Sequence, residues 1–150
     1  MSWLSRTPVR TFVLWPVVVV GADAALQGGF PRIELWALTL LVWGFLQYRL
    51  VGRYRLRHGG GGPGLSVAPE RLVTAGPYGF CRNPMYLGHL IFLVGLALAL
   101  RSWLGATVFV GHVVWFQRRV RSDEERLTLL FGDPYRDYLS RVKRWIPGIL

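Results

Sequence analysis

The sequence predicts an all-α, polytopic membrane protein with about four transmembrane helices plus C-terminal interfacial helices. Of its 150 residues, 52% are hydrophobic, and the mean hydropathy of the chain is positive. The apolar residues are gathered into runs of about 15 to 19 residues. As helices these runs reach roughly 22 to 29 Å, close to the thickness of a bilayer core. The basic residues flank the runs, as they do in membrane proteins.

Four apolar runs define the predicted spans. The first covers about 9–26 and contains Pro16, which we expect to kink the helix, as membrane helices tolerate. The second covers 33–51, the third 84–100 and the fourth 103–117. Each run is marginal in length when taken alone. Together, and with charged flanks, they favour a bundle of membrane helices over a soluble core.

The distribution of Lys and Arg predicts the orientation of these spans. Of the 18 basic residues, sixteen lie in segments that face one side, and the opposite loops hold only Arg32 and Arg101. Because cytoplasmic loops are enriched in Lys and Arg, we expect both termini in the cytoplasm, at an inner or plasma membrane. Residues 1–150 then form a single domain whose cytoplasmic region comprises 52–83 and 118–150.

The chain after the fourth run is amphipathic, since apolar residues recur there at helical spacing among charged ones. Gly132 and Pro134 are expected to divide this segment into two helices. Such helices typically lie in the membrane interface, with Trp145 and the neighbouring basic residues as anchors.

Composition argues against two classes of partner. The formal net charge is +10, but the basic residues flank apolar runs and form no soluble patch with interleaved aromatics, so no nucleic-acid binding is expected. The three histidines lie far apart and Cys81 is the single cysteine, so we expect neither a metal site nor an intramolecular disulfide. Cys81 is interpreted as a packing residue.

The segment "GPYGFCRNPMYLG", residues 76–88, carries more polar and constrained residues than a helix start requires. Pro84 suits the first helical position and Asn83 the N-cap, which explains those two residues but not Tyr78 or Tyr86. The Gly-Pro pair that opens the segment predicts a turn just upstream. The backbone would double back beside a positive helix end, which suits an anionic group.

A cluster of acidic residues follows the fourth run in "RRVRSDEERLTLLFG". In a helix that continues from the span, Arg119 and Asp123 are one turn apart, and Glu124 and Glu125 follow directly. This cluster is typical of a solvated helix face. The alternative is a site in which one carboxylate binds an ammonium or ribose hydroxyl of a cofactor and Arg119 faces a substrate.

Together these motifs resemble a known superfamily. "LVTAGPYGFCRNPMYLG", then a helical hairpin, then "DEERLTLLFGDPYRDYLSRVKRWIP", is similar to the isoprenylcysteine carboxyl methyltransferases and phospholipid methyltransferases. The resemblance covers about residues 70–148, roughly half of the chain, and the first two spans match only in character.

The resemblance implies a polytopic membrane enzyme that uses S-adenosyl-L-methionine without a Rossmann fold. The sequence agrees, because it has no strand–GxGxxG–helix unit. By analogy, Arg119 would lie near the reacting group. The cofactor pocket would be formed by the segment before the GPYGFCRNPMYLG motif, by the motif itself and by one acid after the fourth span: Glu70, Arg71, Leu72, Val73, Tyr78, Asn83, Pro84, Met85, Tyr86, and Asp123 or Glu124.

Two positions depart from the pattern of the superfamily. Asn83 stands where many members have His, and Asp123 replaces the first Glu of the usual acidic pair. Both replacements keep hydrogen-bonding capacity, but an amide has no acid–base role at neutral pH.

The resemblance implies a lipophilic methyl acceptor and contact with membrane lipids. O-methylation of an isoprenylcysteine carboxylate is the reaction most similar to the pattern. Phospholipid N-methylation and thiol S-methylation by the same fold stay open. Two further functions also stay open: a nicotinamide-dependent reductase of the sterol type and, from another class, a non-catalytic membrane subunit.

Overall fold

The protein is described by a computed structural model that covers residues 6–62 and 67–145. Residues 1–5, 63–66 and 146–150 lie outside the described part, including short pieces of the predicted cytoplasmic region. The described residues form helices and no strand, which confirms the all-α prediction. In chain order the helices are α1 (Thr7–Gln27), α2 (Leu38–Gly59), α3 (Pro77–Phe80), α4 (Pro84–Leu100), α5 (Trp103–Phe131) and α6 (Asp133–Arg141).

Two helical stretches are long and apolar enough to cross a membrane. They are the 21 residues Thr7–Gln27 and the 25 residues Leu35–Gly59, the second of which includes a 3-10 turn before α2. Helix α4 coincides with the predicted span 84–100 and is apolar, but it has only 17 residues. Two of the four predicted spans are therefore supported by length and composition.

Helix α5 differs most from the predicted spans. Its 29 residues run without a break from the apolar region 103–117 into the charged region that contains Arg119 and Asp123. The predicted continuation of the helix past the fourth run is therefore present. Gly132 separates α5 from α6, so the predicted division into two helices also holds.

Helix α1 contains a widened turn next to Pro16. Residues Arg10–Leu14 form a π-helical turn in which the N–H of Trp15 bonds to the carbonyl of Arg10. Pro16 follows immediately, and its ring nitrogen has no hydrogen with which to continue the α-helical pattern. The irregularity lies where Pro16 is expected to disturb the helix.

The first of two compact units comprises the described residues up to Leu46 together with Gly88–Val114. Its buried apolar core draws on α1, α4 and α5: Val19, Leu93, Leu96, Leu100 and Val108. Helices α2 and α4 approach closely in this unit, because a Cβ atom on Gly44 would lie 2.5 Å from the amide nitrogen of Phe92. A small residue at such a crossing is typical of membrane helices.

The second compact unit comprises Gln47–Leu87 and the described residues from Trp115 onward. Here the carboxylate of Glu124, on α5, is bound by two arginines, Arg82 and Arg144. We call these three side chains the Glu124 clamp. Arg144 donates to both carboxylate oxygens, at 3.1 Å from Nε and 2.6 Å from Nη2, and Arg82 lies 3.3 Å away. The side chains of Glu124 and Arg82 are each only 12% exposed.

Backbone contacts reinforce the Glu124 clamp. The N–H of Arg82 donates to the carbonyl of Lys143 at 3.0 Å, and the side-chain amide of Asn83 donates to the carbonyl of Arg144 at 3.1 Å. The segment that leads into α4 is thus held against the segment that follows α6. The carboxylate of Glu124 joins both segments to α5.

Replacement of Glu124 by Gln is expected to destabilise the protein by about 2 kcal/mol, because hydrogen bonds to charged partners contribute roughly 1.5–3 kcal/mol. The matched control is Glu125→Gln, since Glu125 is exposed on the same helix and should change stability by less than about 0.5 kcal/mol. Thermal unfolding of the detergent-solubilised protein measures both. Equal melting temperatures for the two variants would contradict the assignment.

Candidate active site

A cavity of about 90 Å³ lies within the second unit. A space of roughly 10–15 Å³ is enough for one water, so this cavity is large enough for part of a small molecule. Its walls come from three stretches of the chain, 67–73, 78–86 and 123–138, the last of which is distant in sequence from the other two. Arg55 of α2 also lines it.

The first wall is the linker 67–73, which follows the run of four glycines at 59–62. It is mostly apolar and consists of Val67, Ala68, Pro69, Leu72 and Val73. Leu72 and Val73 are two of the predicted cofactor residues. Glu70 and Arg71, which the resemblance also implied, are exposed and are not among the residues that line the cavity.

The second wall is the constrained segment at the start of α4. Its lining residues are Tyr78, Arg82, Asn83, Pro84, Met85 and Tyr86, and five of these were predicted. Pro84, Met85 and Tyr86 are buried. Besides its bond to Arg144, Asn83 is fixed through its backbone N–H, which donates to the sulfur of Cys81 at 3.3 Å. The short helix α3 and the turn before α4 therefore hold these side chains in place.

The third wall comes from α5 and α6 and contains the carboxylate that faces the cavity. Asp123 accepts a 2.6 Å hydrogen bond from the hydroxyl of Tyr86. Arg126 lies 3.6 Å and Arg119 3.9 Å from the carboxylate oxygens of Asp123. The side chain of Asp123 is 18% exposed. Asp123 is thus shared among a tyrosine and two arginines.

The structure separates the three acids of the cluster. Asp123 lines the cavity, whereas Glu124 is held by Arg82 and Arg144 and is not among the lining residues. Glu125 is exposed. Successive positions on a helix point about 100° apart, so adjacent acids reach different surroundings. Arg119 also lies outside the lining, although its ion pair with Asp123 has the expected one-turn spacing.

Tyrosine hydroxyls at the cavity remain protonated at neutral pH. Burial raises the pKa of Tyr135 to about 12, and the nearby Glu124 carboxylate acts in the same direction. Burial also raises the pKa of Tyr78 and of Tyr138. Tyr138 donates its hydroxyl hydrogen to the carbonyl of Tyr78 at 2.7 Å. These tyrosines can therefore donate hydrogen bonds but cannot act as bases.

Cys81 behaves as a packing residue. Its sulfur is 3.5 Å from the carbonyl of Arg144, and burial raises the pKa of the thiol. A raised pKa disfavours the thiolate, which is the nucleophilic form.

Several residues that line the cavity were not predicted as site residues. Tyr135 and Tyr138 stand at i, i+3 in α6, and this regular spacing within the C-terminal motif was a usable signal. Arg126 follows Asp123 by one helical turn. Arg55 had no local signal, because it is one of four arginines between 49 and 57 and only tertiary structure distinguishes it.

Comparison with known proteins places these motifs in a family. The family model described as phospholipid methyltransferase matches residues 37–131, more than half of the chain. That range includes Asp123 and the complete segment 76–88.

Individual relatives each match about half of the chain. The protein is 35% identical over 80 residues to protein-S-isoprenylcysteine O-methyltransferase of Schizosaccharomyces pombe, covering 52% of this chain and 34% of the relative. It is 36% identical over 80 residues to that of Mus musculus, covering 52% and 28%. It is 38% identical over 82 residues to protein-S-isoprenylcysteine O-methyltransferase B of Arabidopsis thaliana, covering 53% and 41%.

The matches span between 28% and 41% of the length of these three relatives. The names of these relatives and of the matching family model both describe methyltransferases, as the resemblance of the two motifs implied. The chain therefore belongs to the phospholipid methyltransferase family, within the superfamily that also holds the isoprenylcysteine methyltransferases.

Proposed function

We propose that the protein is an S-adenosylmethionine-dependent methyltransferase that acts at a membrane on a lipophilic acceptor. The observation that carries this proposal is the cavity of the second unit. This cavity is lined by eight of the eleven residues implied for the cofactor, including Asp123. All eight lie within residues 37–131, which the family model matches.

The chemistry of the cavity fits this cofactor, which combines an ammonium, a carboxylate, ribose hydroxyls and an apolar base. Asp123 offers a carboxylate for the ammonium or for a hydroxyl. Arg82 lines the cavity and is paired with Glu124 through a terminal nitrogen; its Nε–H is buried, has no hydrogen-bond partner among the described residues and offers a donor for the carboxylate. Leu72, Val73 and Met85 provide the apolar surface that a base requires.

S-adenosylmethionine, when bound, supplies a methyl group that a nucleophile can displace from its sulfonium. The protein's part would be to orient the reactants and to exclude water. Asp123, positioned by Tyr86, would hold the cofactor, and the buried wall at Pro84 and Met85 would keep water out.

The residues at the cavity favour a carboxylate as acceptor. A carboxylate is already a nucleophile, whereas an amine or thiol must first lose a proton. The tyrosines stay protonated, and Asp123 is the one carboxylate among the described lining residues. Arg119, whose side chain is 35% exposed beside Asp123, is a suitable cation to orient an incoming carboxylate. O-methylation of an isoprenylcysteine is the reaction most consistent with this arrangement.

N-methylation of a phospholipid amine is a second candidate function. It is favoured by the family match itself, whose description is phospholipid methyltransferase. In that reaction Asp123 would have to accept the proton of the amine, in competition with its ion pairs to Arg119 and Arg126.

We also infer the membrane arrangement from charge. The apolar helices would form four spans in one domain, with both ends of the chain and the cavity on the cytoplasmic side. The sixteen-to-two distribution of basic residues supports this orientation. The acceptor would then reach the site from the lipid.

Replacement of Asp123 by Asn is expected to weaken S-adenosylmethionine binding roughly ten- to hundredfold, because a charge-assisted hydrogen bond is lost. Isothermal titration of the purified protein with S-adenosylmethionine, its demethylated product and a reduced nicotinamide measures this. The control is Glu125→Gln, which should bind as the wild type does. Wild-type binding of the nicotinamide alone would favour a reductase, and binding of none of the three would favour a non-catalytic subunit.

Replacement of Arg119 by Ala is expected to lower methyl transfer about a hundredfold, as misplacement of a reacting group does, with cofactor affinity near that of the wild type. The matched control is Arg121→Ala, since Arg121 is exposed on the same helix. Turnover and cofactor affinity are measured on the same preparations. If Arg119→Ala retains full turnover, Arg119 does not orient the acceptor.

A further inference from the structure

Arg55 is a buried cation that the proposed function does not use. It lies near the end of α2, is 8% exposed and lines the cavity. Buried arginines are rare unless their donors are satisfied by specific partners. The partners of Arg55 therefore indicate its role.

The guanidinium of Arg55 bridges two separate carbonyl groups. Nη1 donates to the carbonyl of Val67 and Nη2 to the carbonyl of Gly62, both at 2.8 Å. These two residues border positions 63–66. Because the guanidinium is a planar, rigid fork, it holds the two carbonyls in a set relation to each other.

The glycine run lies directly against the linker that follows it. The carbonyl of Gly59 accepts the backbone N–H groups of Glu70 and Arg71 at 2.8 and 2.9 Å. Gly61 has a φ of +74°, and a Cβ atom on it would lie 2.6 Å from the carbonyl oxygen of Ala68. The run is therefore tightly turned and leaves no room for a side chain at Gly61.

These contacts hold the linker 67–73, one wall of the cavity, in position. Val67, Ala68 and Pro69 line the cavity at one end of the linker, and Leu72 and Val73 at the other. Arg55 bonds to the first of these residues, and Gly59 bonds to the two residues in the middle of the linker. Both anchoring groups belong to the end of α2, so α2 fixes the position of this wall.

We propose that Arg55 is a positioning residue, which holds the linker 67–73 as a wall of the cofactor cavity through its two carbonyl bonds. Its two terminal nitrogens donate to the carbonyls of Val67 and Gly62, and we assign its effect on the ligand to the wall that these bonds hold. The part of the proposal that concerns the cofactor rests on the proposed function, whereas the part that concerns the wall does not.

The test compares Arg55→Ala and Arg55→Lys with Arg53→Ala, a control at an exposed arginine on the same helix. Hydrogen exchange of the full protein in lipid nanodiscs, without cofactor, measures the wall. We expect at least tenfold faster exchange over 67–73 in both Arg55 variants, with α4 and α5 as in the wild type. Lysine keeps the charge but lacks the rigid fork, so it should not restore the wall.

Cofactor titration forms the second arm of the test. We expect the dissociation constant for S-adenosylmethionine to rise at least tenfold in Arg55→Ala, and free guanidinium to restore part of the affinity. Gly61→Ala, which disturbs the same turn without changing a charge, should loosen 67–73 in the same way.

Three results would overturn the proposal. They are unchanged exchange over 67–73 in Arg55→Ala, weaker binding without faster exchange, and equally faster exchange throughout α4 and α5. Failure of the wild type to bind S-adenosylmethionine would instead remove the proposed function and leave the exchange result valid on its own.

Discussion

The second unit depends on one carboxylate, that of Glu124. It accepts a two-pronged bond from Arg144 and an ion pair from Arg82, so it joins α5 to the end of the described chain and to the segment that begins α4. Fork-to-fork pairs of this kind are directional as well as strong. Without this carboxylate, two arginines would remain close together in a nearly buried place. The geometry of the motif around Asn83 follows from this constraint.

The neighbouring acid, Asp123, has the opposite surroundings. It lines the cavity, and its partners are the hydroxyl of Tyr86 and two more exposed arginines. A hydroxyl and exposed cations can give way to a ligand at smaller cost than the buried partners of Glu124. One helix therefore places, at successive positions, an acid held in nearly buried ion pairs and an acid that faces the cavity.

Much of the fold and about half of the residues that line the cavity were predictable from sequence, for identifiable reasons. The length of a buried or membrane helix can be read from the length of its apolar run. The helices therefore lie near the predicted positions, and α4 coincides with its predicted span. The resemblance carried by the motif around Pro84 implied five of the lining residues, because they lie close together in one short segment. The roles of Glu124 and Arg55 were not predictable from local sequence. Glu124 depends on Arg144, 20 residues away, and on Arg82, and Arg55 depends on carbonyl groups 7 and 12 residues away. Glu70 and Arg71 were implied by resemblance, yet both side chains are exposed.

The most direct test of the account is methyl transfer by the purified protein. It would be incubated in lipid nanodiscs with methyl-labelled S-adenosylmethionine and, separately, a prenylated cysteine, a phospholipid amine and a lipophilic thiol. The account predicts a labelled methyl ester of the prenylated cysteine, released as methanol by mild alkali, and roughly tenfold less of that product or lower, at limiting cofactor, from a chain that carries Asp123→Asn. Absence of label in all three acceptors, in a preparation that is folded and does not bind the cofactor, would contradict it.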